Sequence, residues 1–181
     1  MKGLQRSLAS LCVVLTVVGL AVVFLLPELL RGKVSSSREL MPGDVAPSFT
    51  LADVQNTPHS LQDYFSRHDF VLLHFWATWC PTCNEEMPSV VRIYHELGQS
   101  KVELVAISTD QDPNDVRRYM QRNALPFPVL VDARNAVMER YNVSYLPTTF
   151  LIRKDGRIVA RNIEISQLAN LPELQAIEPA R

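Results

Sequence analysis

The sequence has too few cysteines for a disulfide-built scaffold, with three in 181 residues. It has no second C-x-x-C and no pair of histidines at ligand spacing, so Cys80 and Cys83 lack the partners that a zinc site needs, and no metal is expected. No sign of charge dominates. The formal net charge is −1, which leaves no electrostatic footprint for nucleic acid. A lipoprotein box is missing, because Leu11 rather than a small residue precedes Cys12. No small-x-small cleavage site follows the first apolar run either. What is present is ordinary in bulk: 47% hydrophobic and 20% charged residues, in a chain long enough for one domain with a real core.

That first run, Leu8 to Leu26, is broken only by Ser10, Cys12, Thr16 and Gly19. At about 1.5 Å per helical residue it just crosses a bilayer core of roughly 30 Å. Residues 7–26 therefore read as an uncleaved transmembrane signal anchor, with Cys12 a small hydrophobe in lipid. Residues 1–6 form a short cytoplasmic tail, and residues 27–42, with Gly32, Ser35-Ser36-Ser37 and Pro42, form a linker. A domain over residues 43–181 follows. Flanking charge is balanced between Lys2, Arg6 and the amino terminus on one side and Arg31, Lys33 and Arg38 on the other. The shortness of the tail favours tail in, domain out.

Within the domain, Phe49 and Leu51 begin a short strand, and Asn56-Thr57-Pro58 reads as a turn. Ser60 to Tyr64 reads as a helical turn, with His59 and His68 taken as solvent-exposed. The run 70–76, apolar but for His74, predicts a buried strand. Met87, Val90, Val91, Tyr94 and Leu97 recur at helical spacing and predict a helix over 81–98, with Pro88 inside it. Residues 102–108 predict another buried strand. Asp112-Pro113 reads as N-cap and first residue of the next helix, a short strand runs over 127–131, and a short helix over 136–141. Lys154-Asp155-Gly156 predicts a hairpin turn. From Ser166 a short, frayed last helix is expected, interrupted by Pro172 and Pro179. Alternating strands and helices closed by a hairpin give an α/β fold with a mixed central sheet flanked by helices.

The chemistry concentrates in Trp79-Cys80-Pro81-Thr82-Cys83. A C-x-x-C where a strand feeds a helix is a thioredoxin-like redox signature. Cys80 falls at the helix N-terminus, where unsatisfied N–H groups and the positive end of the dipole favour a thiolate, so it is the candidate nucleophile, with its sulfur expected to be exposed. Cys83, one turn inward, is the resolving thiol of a redox-active Cys80–Cys83 disulfide; no other cofactor is expected. Pro81 and Thr82 bring no charge and tune the potential, and no histidine stands between the cysteines, which leans towards a reductant or a mild exchanger. Glu86 shares a helix face with Cys83, where a carboxylate would disfavour the thiolate and carry its proton. His74, on the strand leading into the motif, reads equally as a neutral core histidine or a second proton relay. Trp79 is expected to cover the pair and to contact partners.

Phe75 to Cys83, Glu86, Pro88, the segment Pro42 to Leu51 and Leu146 to Ile152 together resemble the thioredoxin superfamily over roughly residues 42–160. The branch they are most similar to is the membrane-anchored bacterial one that includes TlpA, ResA and CcmG (DsbE). The resemblance implies an insertion between Asp110 and Ala136, an active-site role for Glu86, and a cis peptide at Pro147 facing the cysteines. The backbone of Leu146 would there pair with an incoming peptide. It also implies a thiol-disulfide oxidoreductase on the periplasmic face of a bacterial inner membrane. Its clients would carry cysteine pairs, as apocytochrome c or copper-site proteins do, and a DsbD-like or CcdA-like membrane protein would donate electrons. Two other readings compete: a Sco-like copper-delivery module, which uses a wider cysteine spacing and a histidine this loop lacks, and a peroxiredoxin-type peroxidase, whose Thr-x-x-Cys centre is one residue longer than Thr78-Trp79-Cys80.

Overall fold

The computed structural model describes residues 38–97 and 102–175. The expected tail, the anchor over 7–26 and most of the linker lie outside the described residues; among these, no helix is long and apolar enough to cross a membrane. Residues 38–42, the described part of the expected linker, and Gly43 are bonded to the domain that follows. Asn142 donates to the Arg38 carbonyl at 2.7 Å, Glu39 pairs with Arg161, and Gly43 N–H bonds the Ile158 carbonyl.

In chain order the elements are β1 Thr50–Asp53, β2 Pro58–Ser60, α1 Leu61–Phe65, β3 Phe70–Trp76, α2 Pro81–Leu97, β4 Val102–Ser108, α3 Pro113–Asn123, β5 Val129–Val131, α4 Ala136–Arg140, β6 Thr148–Arg153 and β7 Ile158–Arg161. A 3-10 helix, Ile165–Asn170, and α5, Pro172–Gln175, follow. Pro172 thus begins a short helix rather than interrupting one, since its missing N–H costs nothing at a first helical position. The seven strands lie in the order β2-β1-β5-β4-β3-β6-β7. β3, β4 and β5 run parallel, and β1, β2, β6 and β7 pair antiparallel to their neighbours. The fold is the mixed-sheet α/β architecture that the element pattern predicts, with α3 and β5 filling the segment between Asp110 and Ala136.

β3 is central and buried along its whole length, because both of its faces are covered; a near-continuous apolar run is what such a strand requires. On one face Val71, Leu73 and Phe75 pack with Leu61, Tyr64, Val137 and Tyr141. The rings of Phe75, Tyr141 and Phe150 meet there at 5.2–6.0 Å between centroids. On the other face Leu72 and Trp76 pack with Met87, Val90 and Ile93 of α2 and Val116 of α3. Each such fully buried side chain contributes about 1.5–3 kcal/mol. The register of β3 thereby fixes where its C-terminal end, and the cysteine motif beyond it, must sit.

Local chemistry explains the remaining turns. Ser60 caps α1 in a capping box with Asp63. Asp112 caps α3, with Pro113 first in the helix. Gly156 adopts φ +81° in the β6–β7 turn, a conformation that favours glycine, and Asp155 accepts from Arg157 N–H. The turn expected over Asn56-Thr57-Pro58 is the β1–β2 connection, where Asn56 takes φ +67° and donates to the Asp53 carbonyl. Only Pro58 falls beyond it, at the start of edge strand β2, which pairs with β1. His59 and His68 are not solvent-exposed but half-buried. His59 lies 3.1 Å from Asp53 and stacks on Tyr64, and His68 lies 3.5 Å from Glu103. The His59 ring covers the face of Tyr64 while Asp53 meets its Nε2, and Glu103 lies beside the Nε2 of His68.

Candidate active site

Cys80 occupies the N-cap position of α2, with Pro81 the first helical residue. Its sulfur acts as the cap: the Cys83 N–H donates to Cys80 Sγ at 3.2 Å, and the Thr82 hydroxyl lies 3.4 Å from the same atom. Both groups stabilise negative charge on Cys80 once the pair is reduced. Cys80 and Cys83 form a disulfide with their Cα atoms 5.3 Å apart. Cys83 is wholly buried, whereas Cys80 is 4% exposed. Cys80 is therefore buried rather than open on the surface as expected, and it borders a groove.

That groove has a volume of about 730 Å³ and is walled by Trp79, Cys80 and Pro81 on one side and Ser144, Tyr145 and Leu146 on the other. Trp79 is 67% exposed and Tyr145 51%, unusual for large aromatics, and the two stand at its rim. Trp79 lines the groove beside Cys80. Trp76 is fully buried beneath, against Tyr119. The Leu146–Pro147 peptide is cis, the geometry the resemblance implies.

A second, smaller hollow of about 250 Å³ opens on the other side of the same loop. Glu86, Tyr145, Pro147, Thr149, Asn162, Ile163 and Glu164 line it. Leu146 faces the first hollow, Pro147 the second, and Tyr145 lines both. Asn162 donates to the Tyr145 hydroxyl and ties the loop to the segment after β7. Glu86 Oε2 is buried and accepts from no group among the described residues. Burial, and then the nearby negative charge of Glu164, push the Glu86 carboxyl above its usual pKa. A carboxyl so placed, one turn along the helix from Cys83, is suited to take up or return a thiol proton.

His74 lies on the α2-facing side of β3, opposite Thr149 of β6. It is fully buried, neither ring nitrogen has a partner among the described residues, and burial lowers its pKa to about 4. At neutral pH it is an uncharged core imidazole. This is the first of the two readings its position allows, and it weighs against the relay.

Asp110 is a residue that the sequence reading passes over. It is buried at the end of β4, where it accepts from Thr78 N–H at 2.9 Å, Thr78 Oγ1 at 2.5 Å and Ser108 Oγ at 2.6 Å. The loop carrying Trp79 and Cys80 is anchored to the sheet by this carboxylate. Thr109 N–H adds a bond to the Trp76 carbonyl at 3.0 Å. The only sequence signal was three polar residues, Ser108-Thr109-Asp110, closing an apolar strand.

Residues 42–161 match the AhpC/TSA family. The thiol-disulfide oxidoreductase ResA of Geobacillus kaustophilus is 39% identical over 116 residues, which cover 64% of this chain and 66% of that protein. ResA of Bacillus cereus is 33% identical over 131 residues, 72% of this chain and 75% of that one. Among solved structures, a protein of Chlorobium tepidum assigned as the thiol:disulfide interchange protein DsbE aligns with a TM-score of 0.67 and 25% identity, over 77% of this chain and 99% of that one.

Proposed function

Since the chain belongs to the AhpC/TSA family and, within it, to the ResA-type thiol-disulfide oxidoreductases, we propose that it reduces disulfides in extracytoplasmic client proteins while tethered to a bacterial inner membrane through residues 7–26. The Cys80 thiolate attacks one sulfur of a client disulfide, whose other sulfur leaves as a thiolate and takes a proton. Cys83 then gives its proton to Glu86 and attacks Cys80 Sγ. The second client thiol is released, and the Cys80–Cys83 disulfide forms as two electrons pass to the client. A membrane donor of the DsbD or CcdA kind restores the dithiol. Apocytochrome c and copper-site proteins, which must present free cysteine pairs, are the client classes that suit this step.

The observation that carries the reading is the asymmetry of the pair. Cys80 borders an open groove beside Trp79 and Leu146 and receives two donors on its sulfur, while Cys83 is sealed behind it. An extended client segment laid along Leu146 as an added strand brings its sulfur to Cys80. Among the described residues no cationic side chain lines the groove, which leaves the Cys80 thiolate only moderately stabilised and suits a reductant.

The test is the reduction potential of the Cys80–Cys83 pair, equilibrated against glutathione. A value between about −270 and −200 mV supports a reductant fed by a membrane donor. A value near −120 mV makes the protein an oxidant and overturns the assigned direction.

A further inference from the structure

Across the Pro147 hollow from Glu86 stands a second carboxylate, Glu164, which the cysteine chemistry above does not use. It precedes the 3-10 helix that packs on α2. Its two oxygens are held in place: Ser166 Oγ donates to Oε1 at 2.7 Å, and Gln167 Nε2 donates to Oε2 at 2.9 Å. A long exposed side chain normally spreads over many rotamers. This one is fixed by two neighbours of its own turn, so its charge has a defined place at the hollow's rim.

The surroundings of Glu86 make that charge matter. α2 contributes Cys83, one turn back. β6 contributes the hydroxyl of Thr149, whose cross-strand neighbour on β3 is the neutral imidazole of His74. The loop before β6 contributes the Tyr145 phenol, and the segment after β7 contributes Asn162 and Glu164. Among the described residues, no lysine or arginine lines the hollow. Of these residues, Glu86 thus meets one fixed negative charge and no compensating positive one, in a site where one of its own oxygens is out of contact with solvent.

We propose that Glu164 is a positioning residue that acts through Glu86: its fixed carboxylate keeps Glu86 basic enough to accept the Cys83 proton when the mixed disulfide is resolved. The inference rests on the proton-carrying role given to Glu86 above. The proton leaves Cys83 Sγ for Glu86 as Cys83 attacks Cys80 Sγ and the client thiolate departs. Two electrons pass from the dithiol to the client sulfur, and Glu164 neither bonds nor breaks. A base beside a fixed negative charge holds a proton more readily, because protonation removes a repulsion. Glu164 is exposed, so the effect is moderate and weakens with salt.

The experiment follows resolution directly. The reduced full-length chain is mixed with 5,5′-dithiobis(2-nitrobenzoate) in a stopped-flow instrument. The first equivalent of thionitrobenzoate reports attack by Cys80, and the second reports resolution by Cys83. The rate of the second phase is measured from pH 4.5 to 8.5. Glu164→Gln is expected to move the acid limb down by about half a pH unit at low salt, and less at 1 M salt. Glu164→Asp, which keeps the charge, is expected to restore most of the shift. In a Glu86→Gln background, Glu164→Gln is expected to change nothing. If Glu86→Gln abolishes the limb but Glu164→Gln leaves it in place, the inference is overturned and the role of Glu86 stands. If Glu86→Gln leaves the limb intact, that role fails and the inference with it. An equal shift in both backgrounds also overturns the inference, since Glu164 would then act elsewhere.

Discussion

Asp110 accepts both the backbone N–H and the hydroxyl of Thr78, thirty-two residues earlier in the chain, and so joins the end of β4 to the loop that carries Cys80. An Asn at 110 keeps one acceptor oxygen and places an NH₂ opposite one of its three donors. Asp110→Asn is expected to lower stability by about 1–3 kcal/mol, read from urea midpoints at constant m. It is also expected to slow exchange with a small disulfide by roughly tenfold, because the nucleophile loses its fixed position. Unchanged exchange with lowered stability would show that Asp110 serves the sheet alone.

The asymmetry of the cysteines has its own signature. Cys83→Ser is expected to leave clients attached to Cys80 as mixed disulfides, visible as reducible adducts on gels of whole cells. Cys80→Ser is expected to leave none. Adducts on Cys83 instead would reverse the roles assigned here.

The Thr82 hydroxyl is 3.4 Å from Cys80 Sγ and has little else to do. Thr82→Val keeps the shape and removes the donor. The Cys80 thiolate then loses about 0.5–1 kcal/mol of stabilisation. The disulfide becomes harder to reduce, by roughly 10–20 mV. A potential unchanged within a few millivolts would assign the tuning to the Cys83 N–H alone.

His74 makes stability depend on pH in a defined window. Its pKa falls from 6.5 to about 4 on burial, so the unfolded chain binds more protons between those values. Its contribution is complete above pH 6.5 and is lost as pH falls, at about 1.4 kcal/mol per pH unit. Glu86 has the opposite sign, because a raised carboxyl favours the folded state at low pH, but it is only half-buried and acts near the bottom of the window. From pH 7 to pH 5 the loss is expected to be about 2 kcal/mol by denaturant unfolding. In His74→Leu most of that dependence should vanish; a slope that persists would assign it to other groups.

The sequence made the strand–helix junction legible because period and punctuation agree there: a seven-residue run apolar but for His74, a C-x-x-C, then helical spacing with Pro81 at the first position. The β6–β7 hairpin was legible for the same reason, since Lys154-Asp155-Gly156 admits few other conformations. β2 escaped, because three residues beginning with proline carry no alternation and only an edge position tolerates them. Which strands neighbour β1 was likewise unreadable, as that is decided by packing over the α3–β5 insertion. Asp110 and Glu164 looked like ordinary loop carboxylates. Their roles depend on partners that only the fold brings near, Thr78 for one and Glu86 for the other. His59 and His68 failed as expectations because a half-buried polar pair leaves no periodic trace.

Tyr145, Leu146 and Pro147 separate the groove at Cys80 from the hollow at Glu86. A bulky client pressed against Cys80 therefore shuts one doorway and leaves the other standing open to bulk water. Sulfur traffic and hydrogen-ion traffic use different entrances, so Glu86 can trade its proton with solvent while the client is still seated. The size of the client, on this plan, governs how well it docks and has little bearing on how quickly the proton ledger is reset between turnovers.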